Sequence, residues 1–160
     1  MPYNQEGPSV SEIVIQSEPI DVAAIQDKLR ANNPSVGAVV TFLGLMRDMN
    51  QGDQVFSMFL EHYPGMTEKA LREILDEAER RWDLLGVRVV HRVGELSPTD
   101  AIVLVAVASA HRGEAFRACE FVIDFLKTRA PFWKKERTGN GDRWVSARHG
   151  DSDAEKRWGE

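Results

Sequence analysis

Four cationic side chains surround a Pro-Phe-Trp triplet in the stretch LKTRAPFWKKE, residues 126–136. Lys127 precedes Pro131 and Lys134 follows it, so a bend at the proline could bring the two ammonium groups together. Repulsion between them, together with partial burial, would lower the pKa of a lysine and prepare it for proton transfer or nucleophilic attack. The spacing leaves an alternative open, in which both lysines are solvated and Lys127 only complements the dipole of a helix.

Further cationic residues stand where the chain could present them to an anion. His111 and Arg112 follow an apolar run at the start of a predicted helix, where free N–H groups favour an anion. Arg47 lies in a glycine-containing loop, and Arg143 and Arg148 lie on the last predicted strand. Each arginine could instead pair with a surface carboxylate or remain solvated.

The pattern disfavours sulfur or metal chemistry by the chain's own residues. Cys119 occupies the apolar stripe of a predicted helix, where burial raises the pKa of a thiol and makes it inert. His62, His91 and His149 are dispersed and lack the spacing that is typical of metal ligands. We therefore predict that Cys119 serves packing and that the chain has no metal site.

Charge is unevenly distributed along the chain. The 160 residues carry a net charge of −5, yet the segment 111–148 holds nine Lys/Arg against five Asp/Glu and is positive. A basic segment in an acidic body favours a local anionic partner over general affinity for nucleic acid, which usually makes a whole domain basic.

Composition also bears on location. The longest apolar run, residues 101–110, is too short for a bilayer, which needs roughly 20 residues. The first ten residues lack the basic and apolar regions of a secretory signal. A single cysteine excludes an internal disulfide. We predict a cytoplasmic protein without a membrane segment.

Hydrophobic periodicity predicts one domain over residues 11–148, between a disordered N-terminus, 1–10, and a mobile tail, 149–160. The order is β-α-β-β-α-β-β-α-β-β, which indicates an α+β fold or an α/β sandwich. We expect strand 55–63 to pair antiparallel with strand 36–44 after a loop, and residues 87–96 to form one strand. The predicted helices are 21–30, 67–82 and 111–129, Thr67 caps the second of them, and residues 133–148 form a hairpin.

Five motifs carry a resemblance to a known family. They are LEHYPGMTEKAL (60–71), HRVGEL (91–96), SAHR (109–112), LKTRAPFWKKE (126–136) and GDRWVSAR (141–148). Together they closely resemble the MoaE family, the large catalytic subunits of molybdopterin synthase, in register from about Val36 to Arg148. The resemblance implies an α/β hammerhead-type α+β fold, with two long helices packed on a mixed sheet and an additional antiparallel β-subdomain around 44–62 and 132–148.

The resemblance also implies an activity and partners. The family transfers sulfur from the C-terminal Gly-Gly thiocarboxylate of a small ubiquitin-like subunit to cyclic pyranopterin monophosphate, forming the dithiolene of molybdopterin. The large subunit is a homodimer, and two small subunits complete a heterotetramer. No cofactor, metal, nucleic acid or membrane is implied.

Matching positions suggest the site residues. The essential lysine pair of the family corresponds to Lys127 and Lys134. The predicted substrate-binding residues are Leu45, Met46, Arg47, His111, Arg112, Lys127, Lys134, Lys135, Glu136 and Arg148. We assign Lys127 to the thiocarboxylate and Lys134 to acid–base chemistry, although the sequence fits the exchanged roles equally well. Asp48 departs from the family, which often has Asn after the loop arginine.

Two other functions remain open from the sequence. A nucleic-acid binder would use the lysines and arginines on phosphates and Phe132 or Trp133 for stacking, although the acidic body argues against it. A non-catalytic scaffold would bind a ubiquitin-like tail without turning it over.

Overall fold

Nine strands and four helices form within residues 9–145 and 149–159, the part of the chain that this computed structural model describes. In chain order they are β1 (Ser11–Gln16), α1 (Val22–Arg30), β2 (Ala38–Leu45), β3 (Met49–Asn50), β4 (Asp53–His62), α2 (Met66–Arg81), β5 (Gly86–Arg92), β6 (Gly94–Leu96), β7 (Ala101–Ser109), α3 (Arg112–Arg129), β8 (Phe132–Thr138), β9 (Gly141–Val145) and α4 (His149–Lys156). One sheet has the order β1-β5-β7-β2, and the other has the order β3-β4-β8-β9 with β6 paired to β4.

The apolar run that forms β7 lies inside the first sheet, between β5 and β2. On one of its faces Val105 and Val107 join the main core with α2 and α3, and on the other face Leu104 and Ala106 pack near α1. Strands β1 and β5 are parallel and the other pairs are antiparallel. The predicted mixed sheet with two long helices is therefore confirmed, and the longest apolar run of the sequence forms its buried central strand.

The second sheet is antiparallel and corresponds to the predicted β-subdomain. Its small core contains Met46, Val55, Met58, Leu60 and Leu96. The expected pairing of strand 55–63 with strand 36–44 is wrong, because β2 pairs with β7 whereas β4 pairs with β3, β6 and β8. Strand β2 is almost wholly apolar and packs against α3 on one face and α1 on the other, while the alternating β4 buries one face only, so each suits a different sheet.

One predicted loop and one predicted strand differ in detail from the structure. The expected loop 45–54 contains β3, which turns into β4 through Gln51 and Gly52, both at positive φ as a two-residue hairpin turn requires. The expected single strand 87–96 is divided into β5 and β6, which belong to different sheets. Gly94 has a φ of +88°, and this conformation lets the chain pass from one sheet to the other.

Proline and glycine set one boundary of each long helix. Helix α3 stops at Arg129, because the residue before Pro131 is held in an extended conformation. Helix α2 begins at Met66, with Gly65 as its cap and the Glu68 carboxylate accepting the Gly65 N–H at 3.1 Å. Thr67 therefore lies inside the first turn and is not the cap that the sequence predicts.

The C-terminal tail, predicted to be mobile, contains α4 and packs on α3. The Trp158 ring meets Trp82 and Phe121 edge-on, with centroids 5.6 and 5.4 Å apart. Its indole N–H donates to Asp124 Oδ2 at 2.7 Å. The tail is polar in composition, and its hydrophobic periodicity gives no sign that the Trp158 indole packs against Trp82 and Phe121.

Candidate active site

The register of the first sheet divides the predicted site residues between its two ends. Leu45 lies opposite Ala101 at one end, and Ala38 lies opposite Ser109 at the other. Helix α3 follows β7 directly and runs back along it. Fifteen residues at 1.5 Å each therefore place the Cα atoms of Arg112 and Lys127 roughly 22 Å apart. We call the end that holds Lys127 the lysine end, and the opposite one the histidine–arginine end.

Lys127 and Lys134 both lie at the lysine end. Lys127 is exposed in the last turn of α3, where a cation also complements the helix dipole. Lys134 is half-buried on β8. The positive charges of both lysines act on the ring of His91, which stacks on Phe132 at the start of β8.

His91 is buried, with 4% of its surface exposed. Burial is the main cause that lowers the pKa of its imidazole to about 4, and the charges of Lys134, Lys127 and His62 lower it further, while the hydrogen bond to the Arg92 carbonyl opposes them. The ring is therefore neutral at physiological pH. Because the folded-state pKa lies below the ordinary value, protonation favours unfolding, and this residue's contribution to stability declines as pH falls below about 6.5.

The bend between the lysines is held by groups that sequence reasoning missed. His91 stacks on Phe132 with ring centroids 3.7 Å apart and planes 13° apart. The fully buried Thr67 donates its hydroxyl to the Pro131 carbonyl at 2.9 Å. One signal was available, since alternation along β5 puts His91 on the same face as the buried Val87 and Val89. The sequence contains no comparable signal for the Thr67 contact, which joins residues 64 positions apart.

The loop after β2 also reaches the lysine end. Arg47 and Leu45 are exposed there, and Asp48 beside them is exposed as well. Met46 differs, because its side chain is buried in the core of the second sheet and its backbone bonds to Asp100 and Thr99. Arg47 and Leu45 can therefore face a ligand with their side chains, whereas the side chain of Met46 serves packing.

Neighbouring residues on β8 point to opposite sides of the second sheet. Lys135 faces outward, 3.8 Å from Asp142 and above the Trp144 ring. Glu136 lies on the same face as Lys134 and is buried, accepting hydrogen bonds from Asn50 and from Arg143. The structure thus gives both predicted substrate-binding residues protein partners.

His111 and Arg112 lie at the histidine–arginine end, away from the lysines of the same chain. Both are exposed, and with Gly37, Ala110 and Gly113 they line an open concavity of about 510 Å³. The free N–H groups at the start of α3 face this region, which suits an anion. The predicted residue Arg148 lies outside the described residues.

Gly37→Ala is expected to destabilise the fold by about 1–3 kcal/mol through overpacking and to displace His111. A Cβ at this position would lie 2.2 Å from the Ala110 carbonyl oxygen, a backbone atom that cannot turn aside. Urea unfolding measures the change. Gly139→Ala is the matched control, because a Cβ there meets no atom within 4 Å. Equal stability of the two variants would contradict the prediction.

Cys119 is buried, and burial raises the pKa of its thiol to about 11, as expected for a packing role. Among residues 9–145 and 149–159, no three His, Cys, Asp or Glu side chains converge as ligands for a metal ion. In the same part of the chain, every helix is too short or too polar to span a bilayer.

Comparisons with known proteins agree with the fold. The family model described as "MoaE protein" matches residues 15–129. A molybdopterin synthase catalytic subunit from Ralstonia nicotianae is 58% identical over 147 residues, covering 92% of this chain and 84% of the relative. The solved MoaE protein of Burkholderia ambifaria has a TM-score of 0.81 at 54% identity, covering 94% of this chain and 99% of that one. Molybdopterin synthase from Staphylococcus aureus has a TM-score of 0.75 at 38% identity, covering 84% and 96%.

The family model covers well over half of the chain, and the Ralstonia relative aligns along nearly all of it. The chain therefore belongs to the MoaE family.

Proposed function

We propose that this chain is the catalytic subunit of a molybdopterin synthase and acts as a sulfurtransferase. It would take sulfur from the C-terminal thiocarboxylate of a small ubiquitin-like subunit and install it on cyclic pyranopterin monophosphate. The observation that carries the proposal is the lysine end, where Lys127 and Lys134 approach one bend beside the neutral His91. A solved structure from Helicobacter pylori is described as a complex of subunits 1 and 2 of molybdopterin-converting factor, which supports a two-subunit enzyme.

The chemistry requires cations because both reactants are anions. A thiocarboxylate carries a negative charge and the substrate carries a phosphate, so ammonium groups can hold and orient them. Lys127 would bind the thiocarboxylate and stabilise charge during acyl transfer, and Lys134 would exchange a proton with the pterin intermediate. In each transfer the thiocarboxylate sulfur would bond to the pterin as a thioester, and water would then break the acyl C–S bond, leaving the sulfur on the pterin and a carboxylate on the carrier. Two transfers would supply the two sulfurs of the dithiolene.

Phosphate and pterin would be held by the arginines and the histidine. Arg47 reaches the lysine end within one chain, but His111 and Arg112 lie at the other end of the sheet. We therefore propose that the chain is a homodimer in which a second copy supplies His111 and Arg112 to the lysine end of the first. Two small subunits would complete a heterotetramer, and Arg148 would join the phosphate ligands on the strength of its sequence motif.

A complementation experiment tests the shared site. Lys127→Ala and Arg112→Ala are each expected to be inactive as homodimers. After unfolding and refolding together, about one quarter of wild-type activity should return, because half of the dimers are mixed and each mixed dimer has one intact site of two. Activity that stays absent in verified mixed dimers would contradict a site built from two copies.

The proposed activity itself is tested by reconstitution. The purified chain, thiocarboxylated partner and cyclic pyranopterin monophosphate are mixed, and molybdopterin is assayed. We expect product that requires all three components. A scaffold would bind the partner and form no dithiolene. A nucleic-acid binder would instead bind an unmodified oligonucleotide with a steep dependence on salt.

A cytoplasmic location is part of the proposal. It rests on the single Cys119, which leaves no internal disulfide to protect from reduction. The reaction as proposed draws its sulfur from the partner and uses neither a metal nor a cofactor.

A further inference from the structure

The two lysines are separated by a very short connection. Helix α3, which carries Lys127, ends at Arg129, and strand β8, which carries Lys134, begins at Phe132. Only Ala130 and Pro131 lie between the helix and the strand. The Phe132 N–H donates to the Ala130 carbonyl at 2.9 Å, which closes a three-residue turn around the proline. Any rotation of this turn moves β8 relative to α3, and therefore moves Lys134 relative to Lys127.

Thr67 ties this turn to the start of α2. Its hydroxyl donates to the Pro131 carbonyl at 2.9 Å, and the same oxygen accepts the Tyr63 N–H at 2.9 Å. Both hydrogen-bonding capacities of the hydroxyl are thus directed at backbone. Thr67 has no exposed surface, so it cannot touch a substrate and can act only through the turn it holds.

His91 holds Phe132, the residue that follows Pro131. Its ring stacks on Phe132, and Nδ1 lies 2.7 Å from the Arg92 carbonyl, to which it donates as an N–H. This bond fixes the ring plane and leaves Nε2 as the nitrogen with the lone pair. A neutral ring adds no third positive charge beside the two lysines, in agreement with the lowered pKa of the imidazole.

We propose that Thr67 and His91 are positioning residues that fix the turn at Pro131 and so set the relative placement of the Lys127 and Lys134 ammonium groups. The consequence for catalysis rests on the proposed function, whereas the consequence for lysine geometry does not. Neither residue needs to contact substrate. Their substitution should alter the mutual repulsion of the lysines, which depends on the distance between the charges.

The first test is a pH titration of the two lysines by NMR, on protein whose lysines carry ¹³C-methyl groups, with resonances assigned through Lys→Arg variants. Thr67→Val keeps the side-chain shape and removes the hydroxyl. We expect it to shift the pKa of at least one of the two lysines by about 0.5 or more. Thr67→Ser, which keeps the hydroxyl, should restore the wild-type titration, and His91→Ala should shift it as Thr67→Val does.

Strand β8, which carries Lys134, also offers a matched control for Thr67. Thr138 is also buried, donates its hydroxyl to the Gly141 carbonyl and accepts the Asn140 N–H, but it does so at the far end of β8. Thr138→Val should lower stability to a similar extent and leave both lysine titrations unchanged. If Thr67→Val and His91→Ala also leave both titrations unchanged, the positioning role is wrong and the two residues serve stability alone.

The second test is kinetic and uses the complex charged with thiocarboxylated partner. We expect Thr67→Val to lower kcat by about tenfold or more with KM within twofold, since small misplacements of catalytic groups are costly, and Thr67→Ser to recover the rate. His91→Phe, which retains an aromatic ring against Phe132, should lose less activity than His91→Ala. If wild type itself makes no molybdopterin while Thr67→Val still shifts a lysine pKa, the proposed function fails and the positioning role stands.

Discussion

Lys127→Ala is expected to lower the rate of dithiolene formation by about 10²–10⁴-fold, the usual effect of removing a group that transfers a proton or stabilises developing charge. Lys127 is exposed, so its loss should leave the fold intact. The measurement is a single turnover of a complex already charged with thiocarboxylate. Lys127→Arg separates two roles, because arginine retains the charge but cannot act as a nucleophile or exchange a proton.

The control is Lys28→Ala, which makes the same chemical change on the exposed face of α1, across the first sheet from α3. It should leave the rate unchanged. Product formed by Lys127→Ala at the rate of the Lys28 variant would remove Lys127 from the mechanism. Lys134→Ala, compared with the same Lys28 control, then shows whether Lys134 is also required for dithiolene formation.

Arg143→Ala is expected to destabilise the protein by about 3 kcal/mol, because it leaves the buried Glu136 carboxylate without its cationic partner. The guanidinium lies 3.2 Å from Glu136 Oε1 and 2.7 Å from Asp53 Oδ2, and donates to the Asn50 carbonyl at 2.8 Å. One side chain therefore joins β8 and β9 to β4 and to the β3 hairpin. Thermal unfolding should show a fall in Tm of about 6–12 °C.

Two comparisons sharpen this prediction. Arg137→Ala removes an exposed arginine from β8 and should change stability by no more than about 0.5 kcal/mol. Replacing both Glu136 and Arg143 by leucine should recover most of the loss, because no buried charge is then left unpaired. A single Arg143 variant as stable as the Arg137 variant would show that the buried carboxylate does not depend on the guanidinium.

The sequence predicts those parts of the fold in which local pattern and tertiary environment agree. The apolar, valine-rich run of β7 favours a strand buried on both faces, and the end of α3 before Pro131 follows from backbone sterics. Strand pairing was harder to predict. Strands β2 and β4 are separated only by the two-residue β3, yet β2 pairs with β7 in the first sheet and β4 pairs with β8 in the second. The tail is held by the Trp158 indole and by ion pairs such as Arg129–Glu155 and Arg157–Asp124, and hydrophobic periodicity predicts none of these contacts.

The site was accessible only in part for a related reason. Residue type and a familiar motif single out Lys127 and Lys134, and the predicted helix 111–129 already places Arg112 and Lys127 at its opposite ends. Thr67 and His91 were missed because their contacts join distant segments. The substrate-binding role of Glu136 stays a prediction, and the sequence gives no sign that this carboxylate is buried beside Arg143.

The alternation of side chains along β8 constrains how this segment can change in length. Lys134 and Glu136 share the inner face, and Lys135 lies on the outer one. Deleting one residue between Pro131 and Lys134 would turn Lys135 inward in place of Lys134 and carry Glu136 away from Arg143. Such a change would exchange one lysine for another of identical chemistry, yet it would unpair the ion pair of the second sheet. We therefore expect evolution to exclude single insertions and deletions between Pro131 and Glu136.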